Sequence, residues 1–161
     1  LDGIVQGIKA FRPLPHRLEE HSFGGTLFVD DYIATTPEAT KAALAAYRGQ
    51  RLALVAGGHE REQDYGELAG LLAGYGVTTL ACLPVTGARL ASATRAAAPG
   101  ITVLTPDDLE SAMQALSAQR HRFDTVILSP GAPSYNQFKN FEERGDRFID
   151  LARTLFDRNM P

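Results

Sequence analysis

Four short apolar runs recur along the chain, at 52–56 (LALVA), 77–82 (VTTLAC), 101–104 (ITVL) and 124–129 (DTVILS), and a helix-length stretch follows each of them. Runs this short and this β-branched read as buried strands, and the intervals between them are long enough for crossover helices. Strands joined by such crossovers pair in parallel and need helices on both faces of their sheet. Two further segments, 17–23 and 26–30, flank Gly24-Gly25, the expected turn of a β-hairpin. The pattern therefore predicts an α/β fold: a mostly parallel sheet of about six strands, one of them an antiparallel hairpin strand, with helices on both faces.

The helices between the strands carry their own signals. Thr36-Pro37-Glu38 supplies a threonine cap, a proline at the first helical position and an acid in the first turn, so a helix is expected from there to about Arg48, with Leu44 and Tyr47 turned inward. Helices are also expected over 64–73 and 86–96, and over 106–119 behind a second Thr-Pro pair, Thr105-Pro106. A closing helix carries Phe141, Phe148, Ala152 and Leu155 on one face, and Ile4, Ile8 and Phe11 mark a short amphipathic helix at 2–11. The sequence contains neither internal repeats nor low-complexity segments, so residues 1–161 read as one domain.

Bulk properties narrow the function. A chain of 161 residues with 44% hydrophobic and 22% charged residues can bury a real core. A net charge of −3 gives no general attraction to nucleic acid or anionic membrane, so an anionic ligand must be held by a few placed cations. The single cysteine, Cys82, lies in an apolar strand and reads as a buried residue in a reducing compartment. With neither a membrane-length apolar run nor a signal peptide, the expected location is the cytoplasm. The sequence lacks a G-x-x-x-x-G-K-[ST] loop, a G-x-G-x-x-G after a strand, an H-E-x-x-H and paired cysteines, so a metal site or a self-contained nucleotide-hydrolysing centre is not expected.

In open α/β sheets ligands bind outside the carboxyl ends of the strands. That rule selects the loops after 26–30, 52–56 and 125–129. The last of these runs Ser129 to Gly145, SPGAPSYNQFKNFEERG, in which two prolines and a glycine stop the strand. Ser134 and Gln137 then have the spacing of a capping box, and the helix start they imply suits a carboxylate or phosphate. By spacing alone the same residues also make a plain strand-to-helix turn. Gly57-Gly58 lets the 52–56 strand turn tightly into a loop carrying Arg61.

The run LSPGAPSYNQFKNFEERGDRF closely resembles the C-terminal signature of the muramyl (Mur) ligases that add glutamate to UDP-N-acetylmuramoyl-L-alanine. LPHRLE at 14–19, FVDDYIATTPEAT at 28–40 and AGGHEREQDY at 56–65 resemble the same family in the same order. The resemblance implies a Rossmann-like C-terminal domain of a three-domain enzyme, whose UDP-sugar domain and central ATPase domain lie upstream. ATP and Mg2+ would then be held mainly by that central domain, and the isolated C-terminal domain would be inactive. The implied reaction activates the alanyl carboxylate as an acyl phosphate. The amine of glutamate attacks it, giving an amide, ADP and phosphate for peptidoglycan precursor synthesis.

Carried over residue by residue, the resemblance implies nucleotide contacts from Arg17 and Asp31. It implies glutamate contacts from Thr35, Arg61, Ser134, Tyr135 and Phe141. Phe141 reads equally as plain core by its spacing to Phe148, and His16 reads as structural. Better-known members have Asp-Ser-Lys-Ala-Thr-Asn where this chain has Asp31-Tyr32-Ile33-Ala34-Thr35-Thr36. The departure bears on nucleotide contact and on the stereochemistry of the acceptor. D-glutamate is the first expectation and L-glutamate the alternative. A non-catalytic ligand-binding module of the same fold is the reading from a different class.

Overall fold

Alternation of faces organises the structure, a computed structural model that describes residues 14–133 and 141–157, with side chains described from residue 143 in the second segment. The strands are β1 (Glu19–Phe23), β2 (Thr26–Asp30), β3 (Leu52–Ala56), β4 (Val77–Cys82), β5 (Thr102–Leu104) and β6 (Thr125–Leu128). The helices are α1 (Pro37–Ala46), α2 (Gly66–Leu71), α3 (Gly87–Ala97), α4 (Leu109–Ala118) and α5 (Phe141–Phe156). One six-stranded sheet has the order β1-β2-β6-β3-β4-β5. Only the β1–β2 pair is antiparallel; β2–β6, β6–β3, β3–β4 and β4–β5 are parallel. This is the expected α/β architecture.

Every residue of β3 and of β6 is buried, as strands covered on both faces must be. In β3, Leu52, Leu54 and Ala56 pack with Leu44 of α1, Leu68 of α2 and Leu90 of α3. Ala53 and Val55 turn the other way, toward Met113 and Leu116 of α4 and Phe148 and Ala152 of α5. The period-two pleat thus separates two apolar layers, each closed by its own helices. Phe28 anchors the second layer, with its ring 4.8 Å from that of Phe156 and 5.9 Å from that of Phe148. The expected inward face of the closing helix is buried at Phe148 and Ala152, whereas Leu155 is only partly buried.

Element ends differ from expectation at several places, two of them with a readable cause. The helix expected from Pro106 begins at Leu109, because the Asp108 side chain accepts from the Ser111 N–H and is the cap. The stretch expected as one helix over 64–73 is a six-residue α2 followed by a 3₁₀ turn, Ala73–Tyr75, which ends at Gly76 with φ 93°. Glycines at 70, 74 and 76 weaken α-helix continuation there. Thr36 caps α1 as expected, accepting from the Ala39 N–H at 3.2 Å. The helix expected over 2–11 and the capping box Ser134–Gln137 lie outside the described residues.

Candidate functional site

Strands β2, β6 and β3 are neighbours, so the segments leaving their carboxyl ends share one stretch of rim. Direct hydrogen bonds bind these segments together. The Gly131 N–H donates to the Ala34 carbonyl at 3.0 Å, and the Gly57 N–H donates to the Pro130 carbonyl at 2.8 Å. His59 N–H donates to the Pro133 carbonyl at 2.6 Å. Gln63 reaches across with its side-chain amide to the Thr35 carbonyl at 3.1 Å, and the Tyr65 hydroxyl donates to the Gly131 carbonyl at 3.3 Å. Gly58 permits a close approach, since a Cβ there would overlap the Pro133 carbonyl. The loop after β4 joins through Thr86, whose hydroxyl accepts from the Gly58 N–H at 3.0 Å.

Beneath this rim lies a buried polar layer. Asp31 is 5% exposed; its carboxylate accepts from the Ser129 hydroxyl at 2.9 Å and from the Leu18 N–H. Burial raises its pKa, and those two hydrogen bonds and the charge of Arg17 oppose the rise. Ser129 Oγ also lies 3.1 Å from Thr40 Oγ1, and the Thr40 hydroxyl donates to the Ser129 carbonyl at 3.2 Å. One residue earlier, Asp30 lies 2.7 Å from His16 Nδ1 and accepts from the Tyr32 N–H. Burial opposes the charge on the His16 ring, but the hydrogen bond and charge of Asp30 outweigh it and raise the pKa above 6.5.

Arg144 comes to the same layer from α5. It is 1% exposed, donates from Nη2 to the Gly57 carbonyl at 3.0 Å and lies 5.6 Å from the Tyr32 ring centre. Burial lowers its pKa to about 10, which leaves it charged at neutral pH. A single guanidinium thus touches both the segment after β2 and the segment after β3.

Among the residues expected from sequence, Arg17 is exposed beside Asp31, and Thr35 and Arg61 are exposed on the joined loops. Asp31 is buried instead of displayed. Its carboxylate has about four acceptor sites, so the bonds from Ser129 and Leu18 leave capacity for a further donor. Ser134 and Tyr135 lie outside the described residues. Phe141 opens α5, but its side chain is also outside them. His16 is structural: it ties the segment before β1 to Asp30, and Gly145 of α5 packs so closely on the pair that a Cβ would overlap both.

Sequence reasoning missed Ser129, Thr40, Gln63, Tyr65 and Arg144. A signal existed for Arg144, which stands four residues before Phe148 on the apolar stripe of its helix, an unusual place for a charge. Local spacing gives none for Thr40 and Ser129, which are 89 residues apart. A hollow of about 850 Å3 opens at the opposite end of the sheet, lined by Arg48, Arg51, Tyr75 and Arg122 among others. There Arg51 already forks onto Asp124, at 3.0 and 2.6 Å.

Residues 16–132 match the family model described as Mur ligase, glutamate ligase domain. The chain is 37% identical over 153 residues to the UDP-N-acetylmuramoyl-L-alanine--L-glutamate ligase of Micromonospora sp., covering 94% of this chain and 33% of that protein. It is 40% identical over 146 residues to a protein of the same name from Xanthomonas campestris, covering 88% and 31%. It is 36% identical over 153 residues to the UDP-N-acetylmuramoylalanine--D-glutamate ligase of Rubrobacter xylanophilus, covering 94% and 34%. The chain thus spans about a third of the length of these curated relatives. Its fold is also that of MurF from Acinetobacter baumannii, with a TM-score of 0.64 at 19% identity over 93% of this chain and 33% of that one. The MurF ligase of Thermotoga maritima, solved in complex with ADP, superposes with a TM-score of 0.59 at 16% identity, over 98% of this chain and 37% of that one.

Proposed function

This chain belongs to the Mur ligases, as their glutamate ligase domain, and from that premise we propose that it is the C-terminal, amino-acid-presenting domain of an ADP-forming enzyme that joins glutamate to UDP-N-acetylmuramoyl-L-alanine. The observation that carries the reading is the joined rim: the loop holding Arg61 bonds through Gln63 to Thr35 and through His59 to Pro133, the residue before Ser134. Thr35 and Arg61, from two separated stretches of sequence that the family resemblance assigns to glutamate, thus lie on one set of bonded loops, and the described end of the third stretch, at Pro133, is bonded into the same loops.

In this reading Arg61 offers a charged donor pair to the side-chain carboxylate of glutamate, and Thr35 and Ser134 add neutral donors. The amine is left to attack the activated alanyl carboxyl group, with loss of phosphate. Arg17 meets the phosphates of ATP, and the remaining acceptor capacity of Asp31 takes a ribose hydroxyl. Bound Mg2+ supplies charge neutralisation at the phosphates. In this reading the ion is held mainly by the central domain upstream. Among the described residues no helix is long and apolar enough to cross a membrane. The cytoplasm is assigned from the proposed reaction.

D-glutamate is the first assignment. L-glutamate is the second reading, and the names of the Micromonospora and Xanthomonas relatives favour it. The test is phosphate release by the full-length enzyme with ATP, Mg2+, UDP-N-acetylmuramoyl-L-alanine and each glutamate enantiomer separately. One enantiomer should support turnover, and Arg61→Ala should raise its KM about tenfold or more, the loss of roughly 1.5–3 kcal/mol in a charged hydrogen bond. Silence with both enantiomers refutes the assignment, and an unchanged KM removes Arg61 from the glutamate site.

A further inference from the structure

The loop that carries Arg61 is acidic: His59-Glu60-Arg61-Glu62-Gln63-Asp64 sets three carboxylates around one guanidinium. A cation meant for a substrate carboxylate works poorly if its neighbours compete for it, and a loop of this composition has little apolar surface to hold its shape. The structure holds one of these carboxylates, and the shape of the loop, through Arg89, in the first turn of α3 and in a different segment of the chain. Arg89 Nη1 donates to Glu60 Oε1 at 2.6 Å, and Nη2 donates to the Gln63 carbonyl. The guanidinium also lies 5.6 Å from the centre of the Tyr65 ring.

Glu60, held in this way, shapes the turn beside it. Its carboxylate accepts from the Glu62 N–H at 2.6 Å and from the Arg61 N–H. Glu62 stands at φ 56°, a left-handed conformation that a non-glycine residue keeps only when its surroundings enforce it. The same clamp extends outward. Gln63, whose carbonyl Arg89 holds, reaches Thr35, and Tyr65, on which Arg89 stacks, reaches Gly131.

We propose that Arg89 is a positioning residue for glutamate recognition: by engaging Glu60 and the Gln63 carbonyl it fixes the 60–62 turn and directs the charge of Arg61 to the substrate carboxylate. The proposal rests on the reading of Arg61 as glutamate's partner. Arg89 touches no substrate, and its effect passes through the loop. Arg89 and Glu60 are about half and one-third exposed at their side chains, so the pair belongs to the rim and not to the core.

The test is a double-mutant cycle in the full-length enzyme, with KM for glutamate, KM for ATP, kcat and thermal midpoint recorded for each variant. Arg89→Ala should raise KM for glutamate about tenfold, the scale of one charge-assisted contact, with KM for ATP within about twofold. In an Arg61→Ala background the same change should add almost nothing, because groups that act through one another are not additive. Arg89→Lys keeps a charge for Glu60 but not the second donor, so it should fall between wild type and Arg89→Ala. It also carries the test if Arg89→Ala does not fold. Equal effects of the Arg89 change with and without Arg61, or equal rises in both KM values, overturn the proposal and leave Arg89 a structural residue. An active wild type with additive variants refutes this inference alone. A wild type silent with both glutamate enantiomers refutes the function reading and takes this inference with it.

Discussion

His16 shows how much a single side chain's setting decides. The sequence supports a structural histidine between Pro15 and Arg17, and the structure gives it that role, 2.7 Å from a carboxylate that is 1% exposed. Because Asp30 raises the His16 pKa above 6.5 against the cost of burial, the folded state holds the proton more tightly than the unfolded state does. The resulting stabilisation is complete below pH 6.5 and disappears as pH rises through the folded-state value. Denaturant midpoints of wild type and His16→Gln should therefore lie further apart at about pH 5.5 than at about pH 8.5. A gap independent of pH would mean that the ring is held neutral. Arg144 was less legible from sequence: its position on the apolar stripe could be seen, but its contacts, Gly57 and Tyr32, belong to segments 87 residues or more away.

At the scale of elements, local chemistry was readable wherever one signal dominated. Thr36-Pro37 and Thr105-Pro106 are the same dipeptide, yet only the first opens a helix. Glu-Ala-Thr follows Pro37, whereas Asp107-Asp108 follows Pro106. Aspartate competes for the backbone at caps and turns, so the start moves to Asp108, which bonds the Ser111 N–H at 2.7 Å. Asp108→Ala should cost about 1 kcal/mol in equilibrium unfolding, the usual loss for such a cap. Thr105→Ala should change stability by less than about 0.5 kcal/mol. A reversed order of the two would restore Thr105 as the cap. Strand positions were the most legible, because the alternation of β3 between two apolar layers is written in five consecutive residues.

For the whole molecule, the parallel sheet, and with it the rim that holds the candidate site, followed from the spacing of strands. The joining of the loops did not, because each bond in it links residues far apart in sequence. Gln63 to Thr35 spans 28 positions and Tyr65 to Gly131 spans 66. A rim built this way organises a binding surface but supplies neither a phosphate-cradling loop nor the activated acid. The chain by itself, with ATP, Mg2+, UDP-N-acetylmuramoyl-L-alanine and either glutamate enantiomer, should therefore release no phosphate above background. Turnover by the chain alone would overturn the division of labour proposed for it.

The place of β6, between β2 and β3, bears on how the protein is made. A nascent chain leaves the ribosome amino end first, so the hairpin and the β3–β4–β5 half are both synthesised before the strand that must stand between them. Until residue 125 emerges, each half exposes a bare parallel edge, the kind of surface that recruits wrong partners. The keystone is the last of the six strands to be made, so those two edges stay open until it arrives.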